Sequence, residues 1–337
     1  MFCNYIKRVF FVKKLVFNNL LLYADSYIME NTFSKNKPKI VVIGSCNTDM
    51  VVKANRLPVP GETILGGTFL MNPGGKGANQ AIAASRLGAD VTFISKVGYD
   101  LFGLQAMEVY KSEKINTDYV FTDPTRPSGV ALISVDSFGE NCIIVASGAN
   151  QSLSPEDIDK AKNRIQEADI VLMQLEIPMQ TVEHAASLAY SYGKRVILNP
   201  APAAALSNDL LKKVYVVLPN RIETEMLSNI KVTDEQSAYR AAKAISGKGI
   251  ENVVITLGKE GAFVKEQENF IKTPATEVET IDTTGAGDVF CGAVSVYLSE
   301  GHSLIESVRF ANAAAAIAVT RIGAQSAIPY RTEVKVV

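Results

Sequence analysis

The chain has 337 residues, 47% of them hydrophobic, and a formal net charge of -1. This length and apolar content exclude a disordered or collagen-like chain and allow a large buried core in one or two domains. A balanced charge with no basic run beyond the first residues argues against nucleic acid as a partner, because neutralising phosphates takes a basic face. Cys3, Cys46, Cys142 and Cys291 are far apart and form no CxxC pair. Neither a zinc site nor a disulfide framework is expected, and a reducing cytoplasm is the expected compartment. His184 and His302 are the only histidines, so a histidine triad or metal centre is not expected.

Residues 1–38 read as an N-terminal extension. Phe10-Phe11-Val12 and Leu20-Leu21-Leu22 are apolar, but Lys13, Lys14, Asn18 and Asn19 interrupt them. The runs fall short of the ~20 residues of a membrane helix. Lys7 and Arg8 suit a signal peptide, yet no small-x-small cleavage site stands out. The preferred reading is an upstream extension, with Met29 as an alternative start. A domain is expected over 39–330.

Lys39 to Ser45 is a buried-strand signal, a β-branched run ending in Gly. Similar runs follow at Val91–Ile94, Ile170–Met173, Arg195–Leu198, Val214–Leu218 and Val253–Leu257. Helical patterns lie between them. Ala78–Leu87 stops at Gly88, and Thr181–Tyr192 stops at Gly193. Ser154-Pro155-Glu156-Asp157 and Thr233-Asp234-Glu235-Gln236 are helix starts. This alternation predicts an α/β fold: a mostly parallel central sheet with helices on both faces. Two segments, about 48–70 and 128–147, break the rhythm and predict a small β-sheet lid. The second is a hairpin turning at Asp136–Glu140.

Several loops at strand ends could carry chemistry. Asn72-Pro73-Gly74-Gly75-Lys76-Gly77-Ala78-Asn79-Gln80 opens a helix but is not a Walker A loop, since Gly77 follows Lys76. Leu218-Pro219-Asn220-Arg221-Ile222-Glu223 puts an amide and an acid after a strand. Glu223 could hold Mg²⁺ through water, or the pair could simply cap a helix. Thr256-Leu257-Gly258-Lys259-Glu260-Gly261 could cradle nucleotide phosphates, or be a plain turn. Asp49 and Glu176 also follow strands. The strongest signal is Ile281-Asp282-Thr283-Thr284-Gly285-Ala286-Gly287-Asp288, small residues feeding an apolar helix. Unpaired N–H groups at such a helix start suit a phosphate, whereas an acid there is ordinarily a cap. A glycine pattern for dinucleotide binding is absent after the first strand, which disfavours an oxidoreductase.

From about Lys39 to Tyr330 the chain resembles the carbohydrate kinase family that includes ribokinases, fructokinases and adenosine kinases. Gly74 to Asn79 and Asp282 to Asp288 are similar to its two signatures. Gly44 to Asp49, Gln174-Leu175-Glu176, Asn199-Pro200-Ala201-Pro202 and Ala313 to Gln325 resemble the ribokinase branch. The resemblance implies a mostly parallel sheet with a β lid, and ATP-dependent phosphorylation of D-ribose at its 5-hydroxyl. It implies Asp288 as general base and an anion hole at Gly285, Ala286 and Gly287. Asn47, Thr48, Asp49, Gly75, Lys76, Gly77, Ala78, Asn79 and Glu176 would hold the sugar. Asn220, the 256–261 turn and Asn312 would line the ATP site, with Gly287 and Asp288 at its phosphates. Asp282, Thr284, Ala318, Arg321, Gly323 and Ala327 would hold a monovalent cation, K⁺, mainly through carbonyls. A homodimer through the lid is also implied. Ala327 and Asn312 stand where relatives often carry Ser and His. The helix dipole is expected to lower the proton affinity of Asp288. Alternatives are another sugar or nucleoside kinase of the family, or a catalytically silent sugar-binding protein.

Overall fold

The structure, a computed structural model, describes residues 37–335, and Pro38 onward forms one unit. The expected extension, with its alternative start at Met29, lies outside the described residues apart from Lys37 and Pro38. Among the described residues the strands are β1 (Lys39–Ile43), β2 (Asn47–Lys53), β3 (Thr68–Gly74), β4 (Asp90–Gly98), β5 (Asn116–Asp123), β6 (Gly129–Val135), β7 (Asn141–Ala146), β8 (Ile170–Met173), β9 (Arg195–Leu198), β10 (Val216–Val217), β11 (Asn252–Thr256), β12 (Ala262–Glu266) and β13 (Asn269–Thr273). The helices are α1 (Lys76–Arg86), α2 (Leu101–Ser112), α3 (Pro155–Lys160), α4 (Lys162–Glu167), α5 (Met179–Ser191), α6 (Asn208–Leu211), α7 (Arg221–Ser228), α8 (Glu235–Ser246), α9 (Ala286–Ser299) and α10 (Leu304–Ala318).

Nine strands form the central sheet in the order β13-β12-β11-β10-β9-β8-β1-β4-β5. Its pairs are parallel except where β12 meets β11 and β13. Period-2 alternation splits β1 between two cores. Ile40 and Val42 face α1, α9 and α10, whereas Val41 and Ile43 face α3, α5 and α8. β5, β12, β13 and α2 are additions to the elements expected from sequence. The β5 run Asn116–Asp123 is broken by polar residues because it lies at a sheet edge.

The lid is a separate four-stranded sheet, β3-β2-β6-β7, with β2 and β6 parallel and the outer pairs antiparallel. The expected hairpin joins β6 to β7, where Asp136 accepts from the Phe138 and Glu140 amides at 2.8 and 3.0 Å. β3 runs on to Gly74, so the lid leads directly into α1. Every residue of β7 is exposed.

α1 packs unusually close to α9. A methyl placed on Gly292 would sit 2.7 Å from the Ala83 methyl and 3.1 Å from the Gln80 carbonyl oxygen. The helices meet through Gly292 on one side and Ala83 and Ala84 on the other, so backbones approach as larger side chains would forbid. Gly292→Val should overpack this seam and lower stability by about 1–3 kcal/mol. Urea unfolding checks it, and an unchanged midpoint would show that the seam can yield.

Candidate active site

β1 is the switch point of the sheet, with β4 on one side and β8 on the other, both parallel to it. Chains leaving such strands diverge and open a crevice at their carboxyl ends. Gly44 to Asn47 leave β1 there, and Gln174 to Glu176 leave β8. The Ser45 hydroxyl donates to Glu176 Oε2 at 2.5 Å, and the Lys76 amide donates to the same oxygen at 3.1 Å. Glu176 thus sits at the positive end of α1. Gly75 caps that helix with φ +91°, and any side chain on it would press on the Asn47 amide nitrogen 2.7 Å away. The glycine pair therefore lets β3 and β2 close on the start of α1. Asp49 lies opposite Asn72 in that strand pair and packs on Gly74. Thr48 lies opposite Pro73.

Asn47 is oriented by Asn150, a residue that no motif singles out. Buried Asn150 accepts from the Cys46 amide at 2.9 Å and donates to the Cys46 carbonyl at 3.0 Å and to Asn47 Oδ1 at 2.8 Å. Its only sequence signal is a place after a glycine at the lid's end.

Asp288 is not a helix cap. α9 is capped by Gly285 in the left-handed region, and Asp288 stands in the first turn without bonding the helix amides. Instead Asn79 Nδ2 donates to Oδ2 and Gln80 Nε2 to Oδ1, each at 2.9 Å. Of the three residues expected to form the anion hole, Ala286 spends its amide on the Thr283 carbonyl at 3.2 Å. Gly287 is exposed, with open space beside its Cα. The first-turn amides at Gly287 and Asp288 have no side-chain cap.

The charges form one cluster around Lys76. Burial pushes the Asp288 carboxyl up, and it outweighs Lys76, Asn79 and Gln80, which pull it down. This corrects the expectation that the helix start keeps its proton affinity low: burial costs the ionised form more than Lys76, Asn79 and Gln80 return. Burial, with Glu176 and Asp288, also pushes Asp49 to about 6. Burial disfavours the Lys76 ammonium, but Asp288, Glu176 and Glu223 outweigh it and hold that group's affinity up. Glu223 is raised by burial, against the Asn220 amide and Lys76.

Asn220 and Glu223 form a reciprocal capping box at the start of α7, with bonds of 2.8 to 2.9 Å. The capping alternative is therefore realised, and it leaves Glu223 buried within the field of Lys76 and Asp288. The Thr256 amide donates to the Pro219 carbonyl at 2.9 Å, which sets the turn after β11 beside Asn220. In that turn Leu257 N–H donates to Gly261 O at 2.8 Å, closing a loop over Gly258, Lys259 and Glu260. Glu260 pairs with Arg221 at 2.6 Å. Gly261 abuts Thr273 and Ala275, and the Asn312 amide donates to the intervening Pro274 carbonyl at 3.0 Å. Asn312 also borders a cavity of about 400 Å³ between residues 274–278 and α10.

Asp282 joins two loops. Its Oδ1 accepts from the Thr284 amide and hydroxyl at 2.9 and 2.6 Å, and its Oδ2 from the Gly323 amide at 2.9 Å. Arg321 turns its guanidinium to Glu333, and its amide donates to the Ala318 carbonyl at 3.1 Å. Ala327 is buried. Among the described residues no helix is long and apolar enough to cross a membrane, and Cys46, Cys142 and Cys291 are unpaired.

Residues 37–331 match the pfkB family carbohydrate kinase description. The chain belongs to that family of sugar kinases. Among its relatives, a ribokinase of Haemophilus influenzae is 45% identical over 294 residues, 87% of this chain and 96% of the relative. A deoxyribokinase of Salmonella typhi is 37% identical over 291 residues, 86% of this chain and 95% of the relative. The Arabidopsis thaliana ribokinase complexed with ribose and ATP superposes with a TM-score of 0.82 at 34% identity, covering 89% of this chain and 98% of that one. The expected fold, with its lid, is the fold of these proteins.

The Asp49 shift predicts a pH effect on stability. Its carboxyl titrates near 3.8 when unfolded and about 6 when folded. Between those values the folded protein holds a proton that the unfolded chain has released, so stability falls as pH rises through the window. Without ligand, Asp49→Asn should therefore gain about 1–2 kcal/mol at pH 8, fading to nothing below about pH 4. Urea titrations at the two pH values measure it. No gain at pH 8 would mean that Lys76 already offsets the charge.

Proposed function

We propose that this chain transfers the γ-phosphoryl group of ATP to the 5-hydroxyl of D-ribose, giving ribose 5-phosphate and ADP. The observation that carries the reading is the desolvated Asp288 carboxylate, held by two amides at the start of α9, beside open space at Gly287. Asp288 takes the hydroxyl proton as the ribose oxygen bonds to the γ-phosphorus, and the bond from that phosphorus to the β-bridging oxygen breaks. A carboxylate whose proton affinity is raised by burial is a stronger base than a solvated one. The Gly285, Gly287 and Asp288 amides stabilise charge on the moving group, while the Ala286 amide is turned to the Thr283 carbonyl. Lys76 balances the acids that surround the sugar. Asn47, Thr48, Asp49, Gly75, Gly77, Ala78, Asn79 and Glu176 line the sugar site, and the lid strands β2 and β3 exclude water from it. Asn220, the 256–261 turn and Asn312 line the nucleotide site.

The residues fit two ions. Glu223 keeps free lone pairs beyond its capping bonds and suits Mg²⁺ held through water. Magnesium, when bound, would supply charge neutralisation. Asp282, Thr284, Ala318, Arg321, Gly323 and Ala327 would hold K⁺ mainly through carbonyls, a reading supported by the bond that ties Asp282 to the Gly323 amide, and several-fold faster turnover in K⁺ than in Na⁺ is expected. Equal rates would remove the cation from this reading. The exposed apolar side chains of the lid, among them Phe69, Ile143 and Ile144, support a homodimer through that sheet. Sedimentation at micromolar concentration should give twice the chain mass.

The ribokinase reading and the deoxyribokinase reading differ at one hydroxyl. A buried carboxylate or amide left without its hydroxyl partner loses roughly 1–3 kcal/mol. Ribose should outcompete 2-deoxyribose by at least about tenfold in kcat/KM. A preference for 2-deoxyribose, a nucleoside or fructose in a sugar-dependent ADP assay would retire the ribose assignment and leave the family standing. Asp288→Asn should fold and bind ATP but turn over roughly 10²–10⁴-fold more slowly. Near-normal turnover in that variant would end the role of Asp288 as base.

A further inference from the structure

Behind Asp288 lies a buried chain of side-chain amides that the proposed chemistry does not use directly. Gln80 Nε2 donates to Asp288 Oδ1 at 2.9 Å and to Asn199 Oδ1 at 3.2 Å. Asn199 Nδ2 donates to the Leu218 carbonyl at 3.0 Å. Gln174 Nε2 donates to Gln80 Oε1 at 2.5 Å. Gln80 and Gln174 are fully buried and Asn199 nearly so.

The direction of every bond in this chain is fixed from its ends. A backbone carbonyl only accepts, so Asn199 must turn its NH₂ to Leu218 and its oxygen to Gln80. Gln80 must then turn its NH₂ toward both Asn199 and the carboxylate, which also only accepts. Its oxygen is left facing Gln174, and Gln174 supplies the donor that oxygen needs. The arrangement carries a cost, because Gln174 Oε1 is buried without a partner. It also demands a glycine, since a side chain on Gly44 would collide with that same oxygen. A buried group kept at such expense is held for its orientation.

We propose that Gln80 is a positioning residue for the general base, with its amide polarity locked by Gln174 and Asn199, so that Asp288 is presented as an oriented acceptor to the sugar hydroxyl. This rests on the reading of Asp288 as the base. Gln80 gives the carboxylate a fixed donor on Oδ1, matching Asn79 on Oδ2, which leaves the remaining lone pairs free to accept. The other groups that face Asp288 are Lys76 on α1, Glu176 after β8, Asp49 on β2, Glu223 on α7, and Cys291 on α9 itself.

The test compares Gln80→Met, Gln174→Met and the double variant, with Asp288→Asn beside them. Methionine keeps length and bulk and removes the hydrogen bonds. Gln80→Met should lower kcat about tenfold or more at neutral pH and move the acid limb of the kcat profile to higher pH, because a donor to the ionised base is gone. KM for ribose and for ATP should stay within about twofold. Gln174→Met, which does not touch Asp288, should shift the limb the same way by less. The double variant should be no slower than Gln80→Met, because Gln174 acts only through Gln80. An unmoved acid limb in Gln80→Met, or effects that multiply in the double variant, would overturn the proposal. If Gln80→Met does not fold, the limb of Gln174→Met decides in the same way. Loss of turnover in Asp288→Asn with an unmoved limb in the glutamine variants would remove the relay alone. Normal turnover in Asp288→Asn would remove the base itself.

Discussion

The close seating of α1 on α9 is the contact on which the site depends. Gly292 and the alanines opposite it let the two helix backbones approach to a spacing that ordinary side chains would prevent. Each helix brings part of the site at its N-terminus. α1 brings Lys76, Asn79 and Gln80, and α9 brings Asp288 and its free amides. Two positive helix ends brought together would attract anions and repel one another. Carboxylates at their starts, Glu176 on one and Asp288 within the other, offset that repulsion.

This economy of charge explains why the acids share one lysine. Asp49, Glu176, Glu223 and Asp288 all act on Lys76 or on one another. Like charges held close in a desolvated space are an electrostatic strain, expressed in the raised proton affinities of Asp49 and Asp288. A sugar whose hydroxyls donate to these oxygens would relieve the strain. Stability and binding are thus set against each other at the same residues, as is usual where a site is pre-organised.

The lid is tied to the body at the same place. β2 leaves the end of β1, and β3 runs into α1, so both strands hinge on the residues that line the site. Asn150 stitches Cys46 and Asn47 to the far end of the lid through three hydrogen bonds. The far end of the lid and the orientation of Asn47 are therefore tied through the same three hydrogen bonds.

The sequence by itself determined the class of fold, the lid segments and the two glycine loops, because each rests on local chemistry. Buried parallel strands need β-branched runs, helix starts need caps, and a left-handed turn needs glycine at Gly75 and Gly285. Sequence alone could not separate Asp288 as a cap from Asp288 as a buried acceptor, since both put an acid in a helix's first turn. Tertiary structure decided it: the amides that bind Asp288 come from residues more than two hundred positions away. The same holds for the raised proton affinity of Asp288, which local helix-dipole reasoning placed in the wrong direction. Desolvation is a property of everything packed around a group, and no spacing along a chain records it. Asn150 is illegible for the same reason, and Gln174 and Asn199, marked in the sequence only by resemblance, show no role there, because an amide's role lies in which distant atoms it must satisfy.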